Sequence, residues 1–378
     1  MVLTLFWVSA ALLFYIYAGY PLLIAALARL RAHPVLKGPY SGRVSVVIAV
    51  HNEAHRIGPK VASLLKSDAA DAVVEILIGS DGSTDHVADA VEALRNPKVR
   101  LVDFDSRRGK PSVVNDLCAQ AQGDVLVLTD ARQALEKGAL GALLSNFADP
   151  RVGVVSGELV FRTKAGDSAA AQGVGAYWRY EKFIRRNESR FRSVPGATGA
   201  FYAIRRELWS PIAPETLLDD VAIPLQAMAR GFRCVFEEQG VVYDDPAQSA
   251  SQESIRKRRT IAGNVQLVSL YPWLLNPRRN PIWFEFLSHK LLRLVSPLLL
   301  LVLLGTNVAL MEDPFFRAAL GAQVLFYMVA VAGGLLQEVG LHLGPLGVPL
   351  MFCALNATTV LAWTDVARGR FRVAWDRA

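Results

Sequence analysis

Residues 44–53 read VSVVIAVHNE: seven apolar or small residues, Val44 to Val50, and then the polar turn His51-Asn52-Glu53. A near-continuous β-branched run of this length is how a parallel strand covered on both faces reads. Outward from it the pattern repeats. A helical pattern near Ile57–Ser67 precedes the run Glu75–Gly79, which closes on Ser80-Asp81-Gly82-Ser83-Thr84-Asp85. A helix through about Leu94 leads to Val99–Asp103, and a helix from about Pro111 to Gln122 leads to Asp124–Leu128. This alternation predicts an α/β fold, an open, doubly wound, mostly parallel sheet with helices on both faces. Ligands of such sheets bind outside the carboxyl ends of the strands. The candidates there are Val50, Asn52 and Glu53, then Asp81, then Asp130. Each polar one is also an ordinary turn or N-cap residue. Acids gathered at one edge of several strands point instead to a metal or a polyhydroxyl ligand.

Around this middle, composition changes. The chain has 378 residues, 52% of them hydrophobic, and a net charge of +7, yet nearly all its charges lie between about Arg29 and Arg293. Val2–Leu30 is apolar for longer than the roughly 20 residues a spanning helix needs and carries no charge before Arg29. A secretion signal would show a basic start and a small-residue cleavage site, and neither stands out. Arg29, Arg31 and Lys37 follow directly, so the positive-inside rule puts the middle domain in the cytoplasm. Three further apolar stretches run from about Leu294 to Met311, Phe316 to Leu336 and Leu346 to Trp363. Three crossings would leave Arg368, Arg370, Arg372 and Arg377 outside, so one stretch is expected to be re-entrant or interfacial. Trp283–Leu294 mixes apolar with charged residues, as a helix lying in the membrane surface or packed on the domain does. The expected organisation is a membrane helix at 1–30, a cytoplasmic domain at 41–270, a surface helix at 281–294 and membrane segments at 294–365.

Nucleic acid is not an expected partner, because the basic residues cluster beside apolar segments and in the run Arg256–Arg259 rather than interleaving with aromatics. Cys118, Cys234 and Cys353 stand far apart, without the spacing of a zinc site or a disulfide framework.

More motifs follow in order. They are Arg107-Arg108-Gly109-Lys110, Leu128-Thr129-Asp130-Ala131-Arg132, Pro195-Gly196-Ala197-Thr198-Gly199-Ala200, Thr216-Leu217-Leu218-Asp219-Asp220 with Arg230-Gly231-Phe232 beyond it, and Arg256–Gly263 with Gln266. Together with VSVVIAVHNE and IGSDGSTD they resemble the family-two glycosyltransferases of GT-A type, among them cellulose, chitin and hyaluronan synthases and many bacterial polysaccharide enzymes. The resemblance covers roughly Arg43–Gln266. It implies that Asp81 and Lys110 contact the nucleotide of the donor, with Val50, Asn52 and Glu53 beside them. It also implies that Asp130 holds Mg²⁺ or Mn²⁺ on the donor diphosphate. Where the family has a second aspartate this chain has Arg132, a guanidinium able to pair with the pyrophosphate. Gly196, Thr198 and Gly199 correspond to the acceptor segment, Asp220 to the catalytic base with Asp219 next to it, and Arg259 to the arginine that steadies the leaving diphosphate, with Arg258 adjoining the donor. Arg256 replaces the family's glutamine and Thr260 its tryptophan.

A base is what the chemistry requires. An acceptor hydroxyl attacking opposite the leaving phosphate must lose its proton to a carboxylate within hydrogen-bond reach, and adjacent acids raise one another's pKa. Asp219 or Asp220 could equally cap the helix that follows, and the run 256–259 could face anionic lipid. The expectation is an inverting transferase moving sugar from a nucleotide sugar, specifically a UDP-sugar, to a lipid-linked or growing glycan acceptor. Its partners would be membrane lipids and a partner subunit or second copy. The competing reading is a non-catalytic nucleotide-sugar-binding subunit or sensor. A transporter is disfavoured, because no charge lies within Val2–Ala28 to mark an ion path.

Overall fold

The computed structural model describes residues 1–162, 169–245, 250–338 and 347–369. Its strands are β1 (Val44–Val50), β2 (Val73–Asp81), β3 (Val99–Phe104), β4 (Val125–Thr129), β5 (Ala134–Leu135), β6 (Val152–Phe161), β7 (Phe201–Arg205) and β8 (Arg233–Asp244). They form one sheet in the order β3-β2-β1-β4-β7-β6-β8-β5.

All seven residues of β1 are buried. It pairs in parallel with both β2 and β4, so that Val47 lies beside Leu77 on one side and Leu128 on the other. Its side chains alternate between two hydrophobic layers. Val47 and Ala49 join the layer of Val113, Leu117 and Tyr202, while Val46, Ile48 and Val50 join that of Ile57, Val61 and Leu140. Helices thus cover both faces, as the sequence predicts. The helix Lys110–Gln120 sits so close that a Cβ on Gly79 would lie 2.4 Å from Val113 Cγ1.

Beyond β4 the sheet is mixed rather than mostly parallel. β7 runs antiparallel to β4 and to β6, β6 and β8 are parallel, and β5 is antiparallel to β8. The reversal has a direct consequence for the site. Thr129 at the end of β4 pairs with Phe201 at the start of β7, so the segment Pro195–Ala200 reaches the edge that carries Asp130.

Among the described residues, four helices are long and apolar enough to cross a membrane: Val2–Leu30, Trp283–Ala309, Pro314–Leu336 and Gly347–Ala367. The first continues through a π-helical stretch at Tyr15–Gly19. The segment 281–294, expected as a helix in the membrane surface or packed on the domain, is continuous with the helix Trp283–Ala309. Its charges face protein. Arg192 makes a two-pronged contact with Glu285, 2.9 Å on each side. His289 lies between Glu188 (2.8 Å) and Glu181 (2.9 Å), and Arg293 also pairs with Glu181. Glu181, Glu188 and Arg192 all belong to the helix Ala169–Phe191 or its immediate end. Tyr20 of the first apolar helix donates to the same Glu188 at 2.5 Å, and Tyr180 donates to the Tyr17 carbonyl at 3.0 Å. Buried polar groups require such partners, which fasten the apolar helices Val2–Leu30 and Trp283–Ala309 to the α/β domain. Of the tail arginines, Arg370, Arg372 and Arg377 fall outside the described residues.

Candidate active site

The first strand ends hold loops together. Asp81 is fully buried, and its carboxylate accepts the backbone N–H of Arg108 (2.6 Å) and of Gly109 (2.9 Å). Gly109, at φ 87°, makes the turn that starts the next helix at Lys110. Asn52, at φ 55°, accepts the N–H of Thr84 at 2.7 Å and joins the first turn to the second. Val50 is buried in the strand. Glu53 pairs with Arg56 at 2.7 Å, and burial raises its carboxyl above the usual range against the pull of Arg56. In this arrangement Asp81 and Asn52 act on backbone. Replacing Asp81 by Asn puts an NH₂ donor against a backbone donor, so D81N is expected to loosen the Gly109 turn. The cost would be about 1–3 kcal/mol, read as a lower melting temperature together with weaker nucleotide binding.

Lys110, by contrast, pairs with carboxylates of two other segments. Its ammonium lies 3.0 Å from Asp130 Oδ1 and 3.3 Å from Asp219 Oδ2. Burial pushes the Asp130 carboxyl upward, but Lys110 and Arg132 outweigh it and hold the group below its ordinary value. Beneath the same turn, the buried Lys60 donates to Thr129 Oγ1 (2.8 Å) and to the Gln133 carbonyl (3.0 Å), and burial pushes its ammonium down to about 7. Arg132 does not turn toward Asp130. Its Nε lies 3.1 Å from Asp244 at the end of β8, a carboxylate that also accepts from Gln133 at 2.9 Å.

Asp219 and Asp220 open the helix Asp219–Ala229, whose N-cap is Leu218, and neither acid caps it. That removes capping as the explanation for the pair, although both acids lie in the first turn, where the helix dipole favours them. Gly199 donates its backbone N–H to Asp220 Oδ2 at 3.0 Å, and a Cβ at Gly199 would stand 3.0 Å from that same oxygen. Burial and the neighbouring Asp219 push the Asp220 carboxyl up to about 6, against the lowering influence of Lys110 and Lys290. The segment that supplies Gly199 is itself tied down. Gly196 takes φ 129°, with Val221 where a side chain would go. Ser156 Oγ accepts the N–H of Thr198 at 2.9 Å, and Arg185 donates to Thr198 Oγ1 and Ser156 Oγ, each at 2.7 Å. A lysine cannot make that fork. R185K is therefore expected to lower kcat about tenfold while nucleotide binding stays within about twofold, because the groups it positions serve the acceptor side.

The two arginines of the basic run part company. Arg258 pairs with Asp365 on the last apolar helix, which turns it away from the donor side. Arg259 reaches the Leu217 carbonyl at 3.4 Å, just before the Asp219–Asp220 pair. Gln266 holds the same loop, accepting from the Leu217 N–H (2.9 Å) and donating to the Glu215 carbonyl (2.7 Å). A Cβ on Gly263 would fall 2.5 Å from Leu218 Cγ. G263A is accordingly expected to displace Leu218, with roughly 1–3 kcal/mol of lost stability and a fall in turnover, measured together by thermal unfolding and sugar transfer.

The structure thus gathers Lys110, Asp130, Asp219, Asp220, Thr198 and Gly199 at one sheet edge, with Arg259 behind the acid pair. Lys60, Arg185, Asp244 and Lys290 are additions to the sequence-derived set. Only Lys60 left a signal: it lies at position i+3 from Ile57 and i−4 from Leu64, on the apolar stripe of the helix Ala54–Leu65.

An α/β domain with this sheet and carboxylates at its central edge has the GT-A fold of glycosyltransferases. Residues 45–210 match the model of the glycosyl transferase family 2. The chain is 24% identical over 180 residues to an N-acetylglucosaminyltransferase of Azorhizobium caulinodans, covering 47% of this chain and 45% of that one. It is 27% identical over 167 residues to the beta-monoglucosyldiacylglycerol synthase of Synechocystis sp., covering 40% and 35%. It therefore spans less than half the length of these curated relatives. The structure superposes on the mannosyltransferase PcManGT of Pyrobaculum calidifontis, solved with GDP-Man and Mn²⁺, at a TM-score of 0.72 with 21% identity, over 97% of this chain and all of that one.

Proposed function

We propose that this protein transfers a sugar from a nucleotide sugar to a membrane-associated acceptor, lipid-linked or a growing glycan, with inversion at the anomeric carbon and Asp220 as the base. The observation that carries the reading is the Asp220 carboxylate. It is aimed by the Gly199 amide, raised to about 6, and set one residue from an acid that touches Lys110. At neutral pH such a group is ionised and still basic enough to take a hydroxyl proton.

On the donor side, Lys110 and Asp130 would meet the diphosphate. Mg²⁺ or Mn²⁺ is the proposed cofactor, and the fit can be judged from the residues. Among the described residues no three acids, histidines or cysteines converge as a metal site. Asp130 nevertheless presents a carboxylate that already accepts a cation, the Lys110 ammonium. One carboxylate completed by substrate phosphates suits a hard cation that keeps several of its waters. Asp130 would hold the metal, and the metal, when bound, would neutralise charge on the departing nucleoside diphosphate. Arg259, through the Leu217 carbonyl, would keep the acid pair in register. A UDP-sugar is the proposed donor, the domain is proposed to face the cytoplasm, and the four apolar helices would hold it at the bilayer where the acceptor lies.

A direct test incubates membranes containing the protein with radiolabelled UDP-, GDP- and dTDP-sugars and extracts them with organic solvent. Label entering a lipid or polymer fraction from one donor, with the opposite anomeric configuration by NMR, supports the reading. A donor bound without any label transferred would favour the non-catalytic subunit instead.

A further inference from the structure

The donor edge carries more fixed positive charge than a site relying on metal alone requires. Two residues past Asp130 the chain places Arg132, and Lys110 stands on the other side of the same carboxylate. Arg132 is about one-third exposed and close enough to Asp130 and Glu53 to act on both carboxylates. It is held by one group. Asp244 contacts its Nε at 3.1 Å, and the structure gives the two terminal nitrogens no partner among the described residues. Asp244 is in turn steadied by the Gln133 amide, so the guanidinium is anchored at its Nε end. A guanidinium fixed in this way presents a pair of parallel donors, the geometry that grips phosphate oxygens in two places.

We propose that Arg132 is a diphosphate-binding residue which, with Lys110, takes over part of the charge neutralisation a divalent metal supplies, so that the nucleoside diphosphate binds this protein without metal. The inference rests on the donor-site reading above. It concerns binding: the metal can still serve the bond-breaking step while the resting grip on the nucleotide is carried by side chains. It also explains why a basic residue is tolerated beside the metal-holding carboxylate. With Arg132 turned to Asp244, Asp130 keeps Lys110 as its direct partner, and the guanidinium does not occupy the position a cation would take.

The test is calorimetric titration of UDP, GDP and dTDP into the detergent-solubilised full chain, once in EDTA and once in Mn²⁺, for the wild type, Arg132→Gln and Arg132→Asp. Arg132→Gln retains a hydrogen-bond donor for Asp244 and removes the charge together with the two terminal nitrogens, so it stays informative if the aspartate variant misfolds. The expected result is one nucleotide bound in EDTA within about tenfold of its Mn²⁺ affinity, with Arg132→Gln losing about tenfold or more in EDTA and clearly less in Mn²⁺. Binding seen only with Mn²⁺, or an Arg132→Gln affinity in EDTA equal to wild type, overturns the role of Arg132 and leaves the donor site standing. If no nucleotide binds in either buffer, the donor-site reading itself falls.

Discussion

Asp220→Asn is expected to abolish sugar transfer, by about 10²- to 10⁴-fold in kcat, while leaving nucleotide affinity nearly unchanged. The amide is nearly the same size and still accepts the Gly199 N–H, but it cannot take a proton. The wild-type rate should rise with pH through about 6, where the Asp220 carboxyl gives up its proton. Stability should move the other way. The carboxyl binds its proton more tightly in the folded protein than in the unfolded chain, so its contribution is complete below about 4 and is lost as pH rises through about 6. Asp220→Asn removes that penalty, and near pH 7.5 its melting temperature should exceed that of the wild type, the usual exchange of stability for activity at a strained site. A variant that is both inactive and less stable would point to a structural role for Asp220.

Lys110→Met is expected to have the second largest effect, in the opposite sense for stability. Lys110 is the direct cation partner of both Asp130 and Asp219. Without it two largely buried carboxylates lose their shared ammonium partner, and removing one partner of a buried pair costs about 3–5 kcal/mol. Asp130 should then take up its proton at higher pH than in the wild type, since Lys110 is the largest influence lowering it. Nucleotide affinity should fall by about tenfold to a hundredfold, because a charge-assisted contact to phosphate is lost. Excess Mn²⁺ is expected to restore part of the stability, since the ion can occupy the position the ammonium leaves. Thermal unfolding with and without Mn²⁺ checks this, and a Lys110→Met protein as stable as wild type in EDTA would remove Lys110 from the centre of the site.

How much of this could be read from sequence depended on how each element is buried. β1 through β4 were legible because a strand covered on both faces writes a continuous apolar run, and Val44–Val50 is buried at every position. β8 is different. Its sequence RCVFEEQGVVYD carries charges and alternates between buried and open positions, and its pairing with β6 shifts register between Ser156 and Glu158. Such a half-exposed, irregular strand writes no clean period. The same limit explains the segment at 281–294, whose charges suggested a membrane surface. They are matched by Glu181, Glu188 and Arg192, about a hundred residues earlier, and no local pattern announces that pairing.

In the site, the residues at strand ends were legible by position, and their separate roles were not. Asp81 and Asn52 stand where the topology places ligand-binding groups, yet their side chains hold backbone amides. Arg258 and Arg259 are adjacent in sequence, but a helix turns consecutive side chains about 100° apart, so one meets Asp365 and the other the loop before Asp219. Asp220 is the reverse case. Two acids ahead of a helix ordinarily suggest a cap, and only the structure assigns the cap position to Leu218 and gives Asp220 the Gly199 amide as a partner.

The most direct measurement is release of nucleoside diphosphate from a panel of UDP-, GDP- and dTDP-sugars by the purified full chain in detergent with added lipid extract and Mn²⁺, comparing wild type with Asp220→Asn. Release from one donor by the wild type, absent in Asp220→Asn although that variant still binds the nucleotide, is the expected result. Equal release by both proteins, or none from any donor by a wild type that binds it, would contradict the assignment of Asp220 as the base of a working transferase.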